Sequence, residues 1–189
     1  TFCREIGVER PHVAGNSLGG LLALELGRQE LVRSVTALSP AGFWSERERV
    51  YAFTTLRAMR LAARSMPQPV IERLSRTTAG RAVLVSSIYA RPGRRSPAAS
   101  VRWKPVASRS ACVSATAAAG GSVQFTDDVR EVPVTIAWGE RDRLLLRRQG
   151  VRAKRTIPGA RLVRLPGCGH VPMNDDPALV ARVLLDGSR

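Results

Sequence analysis

The chain has 189 residues with a hydrophobic share of 44%, and no apolar run approaches the ~18 residues of a membrane span, which points to one folded domain with room for an insertion. Thirty basic and 15 acidic residues give a net charge of +15, the kind of balance that marks nucleic-acid partners. Nine of the basic residues and no acidic one fall between positions 73 and 126, with only Tyr89, Trp103 and Phe125 to stack on bases, so neither a nucleic-acid nor a membrane partner is expected.

In chain order, residues 1–6 read as the end of a helix, without the basic start and apolar stretch of a secretory leader. Cys3, Cys112 and Cys168 lack metal-ligand spacing and suit free thiols in a reducing compartment, so a cytoplasmic location is expected. Residues 12–14 read as a short buried strand. Leu18, Leu21, Leu22, Leu24 and Leu26 make the next helix apolar nearly all round, as in a central buried helix. A second strand spans residues 31–38 and ends at Ser39-Pro40-Ala41-Gly42. Strand, helix and strand joined this tightly imply a parallel sheet and an α/β fold.

Ser45-Glu46-Arg47-Glu48 forms a capping box that starts a helix, expected to run to about residue 65, where Met66-Pro67-Gln68-Pro69 stops it. A further helix is expected over residues 70–91, and residues 92–122 are basic and irregular. Periodic sequence resumes with a buried strand over residues 134–138, a helix over 144–154 and an edge-side strand over 161–165. The final helix takes Asp176 as N-cap and Pro177 as its first residue. The organisation read from this is a core in two parts, 1–42 and 129–189, interrupted by a helical insertion, 43–128.

The residues between the first strand and its helix carry the chemistry. Gly15-Asn16-Ser17-Leu18-Gly19 has the form G-x-S-x-G, in which a tight strand-to-helix turn lifts a serine above the end of a sheet. Gly15 and Gly19 are expected to remove side chains that would collide across that turn, and the Leu18 backbone N–H opens a helix whose N-terminus favours developing negative charge. The alternative is a glycine-rich turn of no chemical consequence. A serine hydroxyl needs a base, and the chain has two histidines. His12 lies five residues before Ser17 in the same strand, about 16 Å away at ~3.3 Å per residue and toward the other end of the sheet. His170, in the loop after the last strand, remains. The carboxylate that orients it is sought after the 134–138 strand, where ligands of parallel sheets bind. Asp142 lies there, with Glu140 as its rival. Asp127, Asp128 and Glu131 precede the strand, and Asp175 and Asp176 belong with the last helix.

Gly15-Asn16-Ser17-Leu18-Gly19-Gly20, Trp138-Gly139-Glu140-Arg141-Asp142 and Gly167-Cys168-Gly169-His170-Val171-Pro172 together resemble the α/β-hydrolase superfamily, in its small-molecule serine hydrolase and esterase branch. The resemblance implies a Ser17, His170 and Asp142 triad, an oxyanion donor at the Leu18 N–H and a helical lid over the site. It implies a small-molecule substrate and neither cofactor nor metal. Serine at the elbow disfavours the epoxide hydrolases and haloalkane dehalogenases, which carry aspartate there; carboxylesterases and carbon–carbon bond hydrolases both remain. The family has several strands ahead of the elbow and a His-Gly loop that donates the second oxyanion N–H. Neither is among these residues, so a truncated protein is expected, and a non-catalytic remnant is the alternative to an active hydrolase.

Overall fold

The computed structural model describes residues 2–101 and 124–189. Four parallel strands, β1 (His12–Asn16), β2 (Ser34–Leu38), β3 (Val134–Gly139) and β4 (Arg161–Leu165), lie side by side in that order. Helices among the described residues include α1 (Phe2–Glu5), α2 (Leu18–Arg28), α3 (Glu46–Ser65), α4 (Gln68–Ser75), α5 (Thr78–Val85), α6 (Arg148–Thr156), α7 (Pro172–Asp175) and α8 (Pro177–Gly187). This is the α/β fold expected from the sequence.

Strand periodicity divides the core between the two faces of the sheet. Val35 and Ala37 of β2 and Val134, Ile136 and Trp138 of β3 pack with Leu24, Phe43, Ala153 and Ile157 on one face. Leu38, Ala137 and Leu165 pack with Val180 and Val183 of α8 on the other. Every residue of β2 and β3 is buried, as central parallel strands covered on both faces must be. β1 departs from the buried strand expected. Among the described residues it is one of the two edge strands, with His12 and Ala14 exposed. For the same reason α2 is not buried all round: it covers the sheet with Gly20, Ala23, Leu24 and Gly27, while Leu22 is 57% exposed.

The sequence between β2 and β3 carries α3, α4 and α5. The single helix expected over 70–91 is two helices, because Thr77 leaves the helical path and its hydroxyl caps the second one through the Gly80 N–H at 3.0 Å. Pro92–Arg94 form a 3-10 turn and residues 97–101 are helical, so the first part of the segment expected to be irregular is ordered. Residues 102–123, which hold the rest of that segment and Cys112, lie outside the described residues.

The Ser45 capping box forms, and its Glu48 also ties α3 to the core. The Glu48 side chain is buried and makes ion pairs with Arg148 and Arg152 of α6, and the Arg152 Nε donates to the Phe43 carbonyl at 2.7 Å. Burial alone would push the Glu48 carboxyl up, but the Arg148 hydrogen bond, Ser45 and the Arg152 charge outweigh it and hold the group below its ordinary value. A carboxyl whose pKa falls on folding stabilises the fold above its unfolded value of 4.5, and that contribution disappears as pH falls through the folded value. Glu48→Gln is therefore expected to cost about 1–3 kcal/mol near neutral pH, and the gap between the two melting temperatures should close as the pH is lowered below 4.5 and through the lower folded value.

Candidate functional site

Ser17 joins β1 to α2 with φ 58° and ψ −118°, a conformation that costs a non-glycine residue of order 1–3 kcal/mol. Three backbone hydrogen bonds hold it. The Ser17 N–H donates to Leu38 O at 3.0 Å, and Ser17 O accepts from Leu21 N–H at 3.1 Å and Ala41 N–H at 3.0 Å. Its hydroxyl does not cap α2 and is left for other use. Leu18 is the first residue of α2, so its N–H has no carbonyl to reach within the helix.

The turn is tight at Gly15, where a Cβ would lie 2.0 Å from Gly19 O and 2.2 Å from Gly19 C. The expectation for Gly19 is corrected: a Cβ there would meet nothing within 4 Å, because it points away from the turn, and the second crowded position is Gly20, 3.0 Å from the Pro40 Cβ. Gly19→Ala is accordingly expected to leave the melting temperature unchanged or to raise stability by up to about 1 kcal/mol, as glycine-to-alanine changes inside helices do. Thermal melts of the two chains check this.

The acid and histidine loops meet across Gly139, where a Cβ would lie 2.3 Å from Gly169 O and 2.7 Å from Cys168 O. The close approach allows the Arg141 N–H to donate to Cys168 O at 2.9 Å and the Glu140 N–H to Leu165 O at 3.2 Å. Asp142 follows, and residues 143–147 are turns rather than the start of the helix expected from residue 144. Those turns are held at Asp142: its Oδ1 accepts from the Leu144 N–H at 2.9 Å and the Leu145 N–H at 2.8 Å. Its Oδ2 lies 2.9 Å from His170 Nδ1. Both residues are buried, Asp142 at 6% and His170 at 4% exposure, so the pair interacts away from solvent screening. With Nδ1 on the carboxylate, Nε2 is the nitrogen left to exchange a proton.

Asn16 joins this pair to the elbow. Its Nδ2 donates to Leu38 O at 3.0 Å and to His170 O at 2.9 Å, fixing the histidine loop against the residue next to Ser17. Glu140 is exposed and Glu131 likewise. Asp127 pairs with Arg28 and Asp128 with Arg130. His12 sits at the far end of β1, with Nδ1 2.8 Å from the Ser34 hydroxyl.

Sequence reasoning assigned Asp175 to the last helix and missed its contacts. It ends α7, is fully buried, and accepts from the N–H groups of Gly169, Ala90 and Arg91. No periodicity signals such a role, because two of the three partners are backbone groups 84 and 85 positions away. Cys168 is a free, buried thiol; burial, with Asp175 and Asp176 nearby, pushes it up to about 11. Among the described residues no cluster of His, Cys, Asp and Glu could hold a metal ion, and no helix is long and apolar enough to cross a membrane.

A family model described as the alpha/beta hydrolase family matches residues 1–183. Epoxide hydrolase EphH of Mycobacterium tuberculosis is 54% identical over 41 residues, 22% of this chain and 19% of that one. The uncharacterized protein Rv2715 of the same species is 28% identical over 189 residues, covering 92% of this chain and 54% of its own length. Among solved structures, a bacterial membrane phospholipase A superposes with a TM-score of 0.69 at 24% identity, over 100% of this chain and 60% of that one, a likeness of fold. The chain thus spans about half the length of the curated relative that it matches along most of its residues. With its four-stranded parallel sheet matched by that model over residues 1–183, the chain belongs to the alpha/beta hydrolase family.

Proposed function

We propose that the protein containing this chain is a serine hydrolase that cleaves an ester of a small molecule, with Ser17 as nucleophile, His170 as base and Asp142 as its orienting carboxylate. The observation that carries the reading is the buried 2.9 Å contact from Asp142 Oδ2 to His170 Nδ1, anchored through Asn16 to a positive-φ serine. A hydrolase that used Asp142 for another purpose would have no need to fix the imidazole by Nδ1 and leave Nε2 free.

In this reading the Ser17 hydroxyl oxygen attacks the substrate carbonyl carbon while Nε2 of His170 takes its proton. The carbonyl oxygen becomes an oxyanion and accepts the Leu18 N–H, with the N-terminal end of α2 favouring the charge. The tetrahedral intermediate collapses, and the leaving alcohol takes the proton from Nε2. Water then repeats the sequence on the acyl-serine. Throughout, the Asp142 carboxylate holds Nδ1–H and stabilises the imidazolium without taking a proton. Residues 43–128, with α3 to α5, act as a lid on a core formed by 1–42 and 129–189. The Tyr51 hydroxyl, which donates to Arg143 O at 2.8 Å, joins that lid to the loop of Asp142.

Pre-steady-state hydrolysis of p-nitrophenyl butyrate tests the reading. A burst of p-nitrophenol that approaches one equivalent per chain, absent in His170→Ala, is expected for an acyl-serine. A linear release of equal rate in both chains would exclude it.

A further inference from the structure

We propose that Asp175 is a positioning residue for His170, and that its buried carboxylate couples the imidazole to the segment leading out of α5. The carboxylate is 0% exposed. Its Oδ2 accepts from the Gly169 N–H at 2.8 Å and the Ala90 N–H at 3.0 Å, and its Oδ1 from the Arg91 N–H at 2.7 Å. Gly169 is the residue before His170. The segment that supplies the other two N–H groups also supplies Ile88 O, which accepts the His170 N–H at 2.8 Å and the Val171 N–H at 3.3 Å.

These bonds make one closed unit. Asp175 fixes Ala90 and Arg91, they fix the direction of the Ile88 carbonyl, and that carbonyl holds the peptide of His170, whose preceding peptide returns to Asp175. Asn16 closes the other side through the His170 carbonyl. The two segments approach so closely that a Cβ on Gly169 would lie 2.7 Å from Ala90 N and from Ile88 O. Arg91 Nη1 and Arg94 Nη1 both donate to the backbone carbonyl of Asp175, so the inserted segment holds both ends of that residue. Charged acceptors form stronger and shorter bonds than neutral ones, and the carboxylate offers two oxygens to three N–H groups. An asparagine of the same shape offers one oxygen, and its NH2 would face an N–H. The orientation of His170 is therefore set from two directions: by Asp142 at the ring and by Asp175 at the backbone. A movement of the inserted segment reaches the imidazole both through Ile88 O, which holds the His170 N–H directly, and through Asp175, which fixes the segment that carries that carbonyl.

The rate of attack by Ser17 enters only through the serine hydrolase reading, whereas the placement of His170 is read without it, and the test keeps the two apart. With two histidines in the chain, the imidazole Nδ1–H of His170 is assignable by NMR on the 189-residue chain after His12→Gln. In Asp175→Asn that proton signal should broaden or vanish through exchange. With a fluorophosphonate probe, kinact should fall about ten- to a hundred-fold while KI stays within about two-fold, the pattern of a base displaced by a fraction of an ångström. A folded Asp175→Asn chain with a lower melting temperature but wild-type kinact and Nδ1–H signal would make Asp175 an anchor only and overturn the proposal. Should that variant fail to fold, Arg94→Ala, at an exposed side chain, carries the test: a drop in kinact of about three-fold with a weakened Nδ1–H signal supports the coupling, and no change in either refutes it. A wild-type chain that takes no probe removes the serine hydrolase reading, and the Nδ1–H signal then decides the proposal alone.

Discussion

Asp142→Asn is expected to lower the rate of Ser17 acylation by about 10⁴-fold while the chain stays folded, the scale seen when a triad carboxylate becomes an amide. The hydrogen bonds around Asp142 dictate the direction. Its Oδ1 is occupied by two backbone N–H donors, Leu144 and Leu145, so an asparagine must put its oxygen there and turn its NH2 toward His170. Nδ1 is then forced to accept, the ring proton moves to Nε2, and the nitrogen that should take the serine proton already carries one. The side chain of Asp142 keeps its volume and both turn bonds, so the melting temperature should fall by no more than a few degrees. Acylation kinetics and a thermal melt on the same sample separate the two effects. A fall of ten-fold or less would mean that the Asp142 contact does not set the tautomer.

Gly15→Ala should be among the most disruptive single methyls at the described glycines. The added carbon would stand 2.0 Å from Gly19 O, 2.2 Å from Gly19 C and 2.7 Å from Gly20 N, all backbone atoms that no rotamer change can move aside. Relief requires the first turn of α2 to shift from β1, and this takes Ser17 out of its three backbone hydrogen bonds and the Leu18 N–H away from the site. A loss of about 3 kcal/mol or more is expected, in the range of severe overpacking. The neighbouring Gly19→Ala serves as the control, since the same methyl there meets open space. Denaturant melts of the pair should differ by at least about 2 kcal/mol; equal stabilities would show that the elbow is looser than its contacts imply.

The sequence carried the parts of this site that depend on local rules. G-x-S-x-G between an apolar run and a leucine-rich helix is a local pattern, and the strand and helix boundaries around it follow within a few residues. The preference for Asp142 over Asp127, Asp128 and Glu131 rested on which end of a parallel strand faces ligands; that rule left Glu140 as a rival, and the contact with His170 belongs to Asp142. What could not be read depends on distant or non-periodic partners. The helix expected from residue 144 gives way to turns that Asp142 holds through the Leu144 and Leu145 N–H groups. The break at Thr77 follows from a hydroxyl competing with the helix for a backbone N–H. The leucines of α2 have an apolar pattern that predicts burial, yet β1 is an edge strand among the described residues and Leu22 is left 57% exposed. Asp175 is the extreme case. Its role exists only once residues 88–91 fold back onto the histidine loop, and an aspartate before an N-cap aspartate gives no hint of that.

The central claim is that Ser17 is the nucleophile and His170 its base. Its most direct measurement is peptide mass spectrometry of the chain after exposure to a fluorophosphonate, beside His170→Ala and Ser17→Ala. The expected result is one phosphonyl adduct per chain, located on Ser17 and strongly reduced in both variants. A folded chain without an adduct at Ser17, or an adduct that forms equally fast in His170→Ala, would contradict it.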